Sequence, residues 1–155
     1  MRRKDREITD RKHMLEVLEG CDCCRIGLSD GDGVYIVPLN FGYEEQDGRL
    51  TLYFHGAQEG KKLELMAENP SVGFELDRKH ELVEGAEACA YSYRYQSIIG
   101  KGRLESVDSF GEKVRGLTLI LSHYSDRRDW TFPEAMVERT AVLRLTVTEW
   151  TCKEH

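Results

Sequence analysis

With 155 residues, 40% hydrophobic and 32% charged side chains, the chain has the composition of one globular domain with a core of its own. No apolar run approaches the roughly 20 residues that span a bilayer, and the basic stretch Met1–Glu7 lacks the apolar segment of a secretory signal, so a cytoplasmic protein away from the membrane is expected. A net charge of −6 without a long block of one sign argues against a general nucleic-acid binder.

The first expected element is a helix over 9–19, with Thr9 or Asp10 as N-cap, Met14, Leu15 and Leu18 as its apolar stripe and Gly20 as its stop. Cys21 and Cys24 then form a C-x-x-C. Zinc would need a second ligand pair at matching spacing, which the sequence lacks, and a thioredoxin-type thiolate would need the motif at a helix start. Here the motif follows a helix end and leads into a strand, which favours buried thiols. Cys23 to Leu28 reads as that strand, and Ser29–Gly33 as a turn.

Val34 to Phe41 is the next strand, with Tyr35, Val37, Leu39 and Phe41 on one face. Pro38 inside it marks a sheet edge or a bulge. Asp47-Gly48 is a hairpin signal leading into Arg49–His55, where Leu50, Leu52 and Phe54 alternate with polar or amphipathic neighbours. A short helix over 60–69 follows, with Leu63, Met66 and Ala67 inward, ending before Pro70. A strand at Val72–Leu76, a charged loop at 77–87 and a long β stretch at 88–107 come next. Within that stretch Cys89, Tyr91, Tyr93 and Tyr95 read as one wall facing something large and apolar. The capping box Ser109–Glu112 starts a helix with Val114, Leu117, Thr118, Leu121 and Tyr124 inward. A turn of helix near Pro133 precedes a last strand, in which Ala141, Leu143, Leu145 and Val147 share a face. Tight turns between strands imply an antiparallel sheet of six or seven strands, closing into a mainly β barrel with flanking helices in a single domain. No G-x-G-x-x-G follows a strand, which excludes a Rossmann domain.

Three stretches carry candidate chemistry. Between His55 and Lys62 a strand ends, the chain turns through small residues, and a helix opens on two lysines. Lysines favour the other end of a helix, so Lys61 and Lys62 read either as an anion site with the free amides or as solvated surface charges. His55, just before them, is a ligand contact, a general acid or a surface histidine. In Tyr93–Gly102 the glycines permit a bulge or a close backbone approach, Gln96 and Ser97 offer hydrogen bonds, and Tyr95 a flat wall; a plain barrel strand with a bend reads equally.

The motifs Met1–Ile8, Tyr35-Ile36-Val37-Pro38-Leu39-Asn40-Phe41-Gly42-Tyr43, Leu52–Ala57, Gly60-Lys61-Lys62, Asn69-Pro70-Ser71-Val72 and Tyr95–Gly102 together resemble the pyridoxamine 5'-phosphate oxidase-like, FMN-binding split-barrel superfamily, and within it the Nim-type 5-nitroimidazole-resistance proteins. The resemblance implies a homodimer with FMN at the subunit interface. Val37, Pro38, Leu39 and Asn40 would line the flavin ring, His55 and Gly56 would lie beside it, Lys61 and Lys62 would hold its phosphate, and Tyr95, Gln96 and Ser97 would complete the pocket. It further implies two-electron reduction of a small molecule such as a nitroimidazole, with NADH or NADPH as a possible donor and His55 as the catalytic candidate. A non-catalytic flavin- or haem-binding protein is the alternative. Pyridoxamine-phosphate oxidases proper carry an arginine-containing C-terminal segment that grips substrate. Trp150–His155 has no arginine, and that particular reaction is not expected.

Overall fold

Along most of the strands alternate side chains turn into a common apolar interior, around which the sheet curls on itself. The computed structural model describes residues 3–155; Met1 and Arg2, which open the resemblance at the N-terminus, lie outside it. The elements are β1 (Glu7–Ile8), α1 (Arg11–Glu19), β2 (Cys24–Asp30), β3 (Gly33–Leu39), β4 (Gly42–Gln46), β5 (Arg49–Gly56), α2 (Lys61–Glu68), β6 (Ser71–Val83), β7 (Ser92–Val107), α3 (Phe110–Tyr124), α4 (Glu134–Glu138) and β8 (Ala141–Glu154). Among the described residues the strands form one antiparallel sheet of eight, in the order β3-β2-β6-β7-β8-β5-β4, with β1 added to β8. The two ends of that order are neighbours in the chain. Asn40 and Phe41 alone carry it from β3 to β4, so the barrel is joined there by the chain and not by a ladder. This is a split barrel.

Ile26, Leu28, Leu52, Phe54, Leu76, Ile98, Leu104, Leu143 and Leu145 fill the interior, each removed from water to within 1%. Burial of this kind contributes about 1.5–3 kcal/mol per large side chain. Tyr35, Val37 and Leu39 pack onto this cluster and Phe41 lies inside it, as the alternation predicts. The Asp10 carboxylate accepts the His13 amide and caps α1, which buries Met14, Val17 and Leu18. Across the barrel, α3 lies on the outer face of β4 and β5, and Gly116 and Ile120 meet Tyr53 and Val142.

Several expectations shift. The stretch 77–87 is not all loop, because β6 runs on to Val83 and pairs with β7 across a bulge between Arg78 and Glu81. Cys89 lies in a single 3-10 turn, and Tyr91 and Tyr93 are about half exposed, so these residues are no interior wall. Strand β4 was hidden by its sequence, Gly-Tyr-Glu-Glu-Gln, which carries no apolar alternation. On α2 the buried residue is Leu65 while Ala67 is exposed. On α3 the buried residues are Gly116 and Ile120, because the helix packs so closely on Tyr53 and Val142 that a Cβ at 116 would stand 2.9 Å from each.

Candidate functional site

The site grows from the seam. Strand β4 pairs with β5 from Gln46 opposite Arg49 to Gly42 opposite Tyr53, and there the ladder ends. Beyond it β5 continues through His55 and Gly56, while β3 has turned away to pair with β2 alone. Continuing the register sets Asn40 level with His55, so the edge of β3 faces the exposed end of β5 across the opening. Pro38 stands on this edge strand, where a residue without an N–H does least harm. Val37 and Leu39 are turned to the core, leaving the backbone of Val37–Asn40 as the part of β3 that borders the gap.

At the end of the gap, α2 begins. Gly60 has φ 125° and ψ 166°, a region that disfavours side chains, and its carbonyl accepts the amides of Leu63 and Glu64. The amides of Lys61 and Lys62 belong to the first turn, whose N–H groups have no partner within the helix. A Cβ on Gly56 would stand 2.9 Å from Lys62 Nζ, so the missing side chain is what lets this ammonium lie over the end of β5. Lys61 Nζ meets Asp30 Oδ2 at 2.5 Å, and lies 5.2 Å from the centre of the Tyr35 ring. The hydrogen bond with Asp30 raises the Lys61 ammonium above its ordinary value. The contacts thus set Lys62 beside Gly56 and Lys61 against Asp30 and Tyr35 of the β2–β3 hairpin, while His55 is exposed and Val37–Asn40 lie on the edge strand β3.

Tyr95, Gln96 and Ser97 are elsewhere on the chain. Two strands, β2 and β6, separate β7 from β3, and Ser97 lies ten residues along β7 from Val107, which is level with His55 through Val142. That is about 30 Å of strand. Gln96 Nε2 donates to Glu154 Oε2 at 2.9 Å, and this bond together with His13 holds the Glu154 carboxyl below its ordinary value. Burial works against ionising the Tyr95 hydroxyl, but hydrogen bonds from Arg6 and Lys153 outweigh it and lower its pKa. Ser97 differs from both. It is only 8% exposed, and its Oγ has no hydrogen-bond partner. Around it Ile99, Glu149, Thr151 and Lys153 border a hollow of about 270 Å³. A buried hydroxyl without a partner costs about 1–3 kcal/mol.

Ile99 also belongs to a second hollow of about 410 Å³ on the outer face of β3, β2, β6 and β7. Val34, Ile36 and Ile99 are 66%, 63% and 54% exposed there, over a floor that includes Gly27, Gly73 and Gly100. The glycines expected to bend β7 do so: a bulge falls between Lys101 and Gly102, and a Cβ on Gly100 would stand 2.3 Å from the Phe74 ring.

The remaining candidates resolve structurally. Cys21 and Cys24 are buried free thiols; burial pushes Cys21 up to about 12 and Cys24 well above its usual range, opposite to an activated thiolate. His123, for which the sequence offers no context, packs tilted by 45° against Phe41 with ring centroids 4.3 Å apart, and its Nε2 lies 2.8 Å from the Cys21 carbonyl. Beside it the Phe41 amide donates to Tyr124 Oη, and the Tyr124 hydroxyl donates to the Asp22 carbonyl. The end of α3 thus pins the crossing from β3 to β4. Sequence reasoning also missed Asp30, which reads only as part of a turn until the fold sets it against Lys61.

The chain has no match among curated protein sequences. Its fold matches a structure from Bacteroides thetaiotaomicron, described as a candidate 5-nitroimidazole antibiotic resistance protein, at 30% identity and TM-score 0.83, over 96% of this chain and 86% of that one. It also matches a flavocytochrome from Azotobacter vinelandii at 19% identity and TM-score 0.82, over 100% and 72% of the two chains. An FAD- and haem-binding protein from Mycobacterium smegmatis matches at 18% identity and TM-score 0.81, over 96% and 72%. Residues 10–154 match the pyridoxamine 5'-phosphate oxidase family, nearly the whole of the split barrel, and the chain belongs to that family.

Proposed function

We propose that the protein is a homodimeric, FMN-binding oxidoreductase that reduces small molecules such as nitroimidazoles. The observation that carries this reading is the pair Lys61 and Lys62 on the first turn of α2, beside the unladdered edge of β3. Two ammonium groups and free helix amides suit a terminal phosphate, while strand-edge backbone suits the polar rim of a flat ring. The partnerless Ser97 hydroxyl, at the end of an exposed apolar face, fits the same ligand if that face meets a second copy and the two halves come from different chains. The Bacteroides protein, described as a resistance protein for 5-nitroimidazoles, supports the substrate class.

In this reading Lys61 and Lys62 hold the phosphate, and Val37–Asn40 and Gly56 set the ring's position. FMN held by these residues would supply two-electron chemistry between a reduced nicotinamide donor and the substrate. Reduction of a nitro group to nitroso consumes two electrons and two protons and releases water. His55, exposed at the rim, delivers one of those protons and orients the substrate. The apolar face excludes water from the interface side.

The test is the visible spectrum of the purified protein with FMN, followed without oxygen. Bleaching by NADH or NADPH and recovery on adding a nitroimidazole are the expected outcome. Flavin bands that never bleach would contradict the reductase, an intense Soret band would replace flavin by haem, and no bound chromophore would contradict the site.

A further inference from the structure

The lysine pair is not symmetric. Lys62 lies over Gly56, whereas Lys61 is already held by a carboxylate, Asp30 Oδ2, at 2.5 Å. Asp30 forms the last ladder pair of the β2–β3 hairpin, opposite Gly33, with Gly31 at φ 61° in the turn. Its position is fixed by the strand, while Lys61 reaches it on a flexible four-carbon stem and stacks over Tyr35 on the way. A carboxylate oxygen on an ammonium is what a phosphate oxygen would be. It also opposes any second anion brought to the same ammonium, at a distance where like charges repel appreciably.

We infer that Asp30 is an internal competitor for the ligand's phosphate, occupying Lys61 when no ligand is bound and tuning how tightly a phosphorylated flavin is held and exchanged. The inference rests on the phosphate role of Lys61 and Lys62 proposed above. It predicts a selective effect: anything phosphorylated competes with Asp30, and anything lacking phosphate does not.

The experiment is flavin binding by fluorescence quenching, with FMN and with riboflavin as probes, on the parent protein, Asp30→Asn, Asp30→Glu and Lys61→Ala/Lys62→Ala. Asparagine keeps the side chain's size and carbonyl oxygen and removes the charge, and a thermal melt confirms that the variant is folded. Asp30→Asn is expected to bind FMN about three- to ten-fold more tightly, with riboflavin unchanged, since an exposed ion pair and one like-charge repulsion are removed. Asp30→Glu, which keeps the charge, should stay within about two-fold of the parent. Unchanged or weaker FMN binding in Asp30→Asn, with the double lysine variant losing its preference for FMN over riboflavin, overturns the competitor while leaving the phosphate site standing. A double lysine variant that keeps the parent's preference overturns the phosphate reading, and the competitor with it.

Discussion

Ser97 and the buried cysteines show what single residues contribute. The Ser97 hydroxyl is buried without a partner, so Ser97→Ala should leave the ligand-free protein as stable as the parent or more stable by up to about 1 kcal/mol. The same change should shrink the rise in Tm that FMN produces. Melts with and without FMN separate the two effects, and equal FMN shifts in both proteins would remove Ser97 from the site. The thiols give a pH dependence. Burial raises Cys21 from 9.0 to about 12 and Cys152 to about 11. In the unfolded chain these groups ionise near their ordinary value, while in the folded chain they stay protonated to higher pH. The folded state therefore binds more protons above pH 9. Its stability is whole below that value and falls as pH rises toward 11–12. Tm measured from neutral to alkaline pH should show that decline. In the native state a thiol reagent should label exposed Cys89 and spare Cys21 and Cys24.

Among elements, the seam depends on α3 lying tightly over the start of β4. A Cβ on Gly42 would stand 2.3 Å from the Ile120 nitrogen, against backbone that has no side chain to move aside. Gly42→Ala should therefore cost about 1–3 kcal/mol, read as a lower denaturant midpoint. Because His123 and Tyr124 pin Phe41 from the same helix, the variant should also weaken FMN binding beyond its effect on stability. The elements that were legible in the sequence were those that obey a period. Leu50, Leu52 and Phe54 announced β5, Thr9 or Asp10 announced a cap that the structure gives to Asp10, and Pro38 announced an edge or a bulge, of which β3 is the edge. Strand β4 and the outer half of β6 carry charges on both faces, and ladder hydrogen bonds to their neighbours, invisible in one sequence, hold them. The lysine pair was legible by its position against the helix dipole. Its partner Asp30 was not, because their contact crosses between a hairpin and a helix far apart in the chain.

For the whole molecule, the proposed dimer is tested through its two proposed half-sites and one exposed apolar face. Lys61 and Lys62 border the seam, Ser97 lies several strands away, and Val34, Ile36 and Ile99 stand exposed on the sheet between these regions. A charge placed on that face, Ile36→Glu, should turn a dimer into a 17.9 kDa monomer in sedimentation and abolish FMN binding together with dimerisation. The decisive measurement is complementation between two defective chains. Lys61→Ala/Lys62→Ala lacks one half-site and Ser97→Leu blocks the other, so each protein alone should bind FMN far more weakly than the parent, the lysine variant no better than it binds riboflavin. If the site is shared between chains, mixing them in equal amounts with subunit exchange restores about one quarter of the parent's tight FMN sites, one in each mixed dimer. A mixture that binds no more FMN than its two components would contradict a site built from both copies.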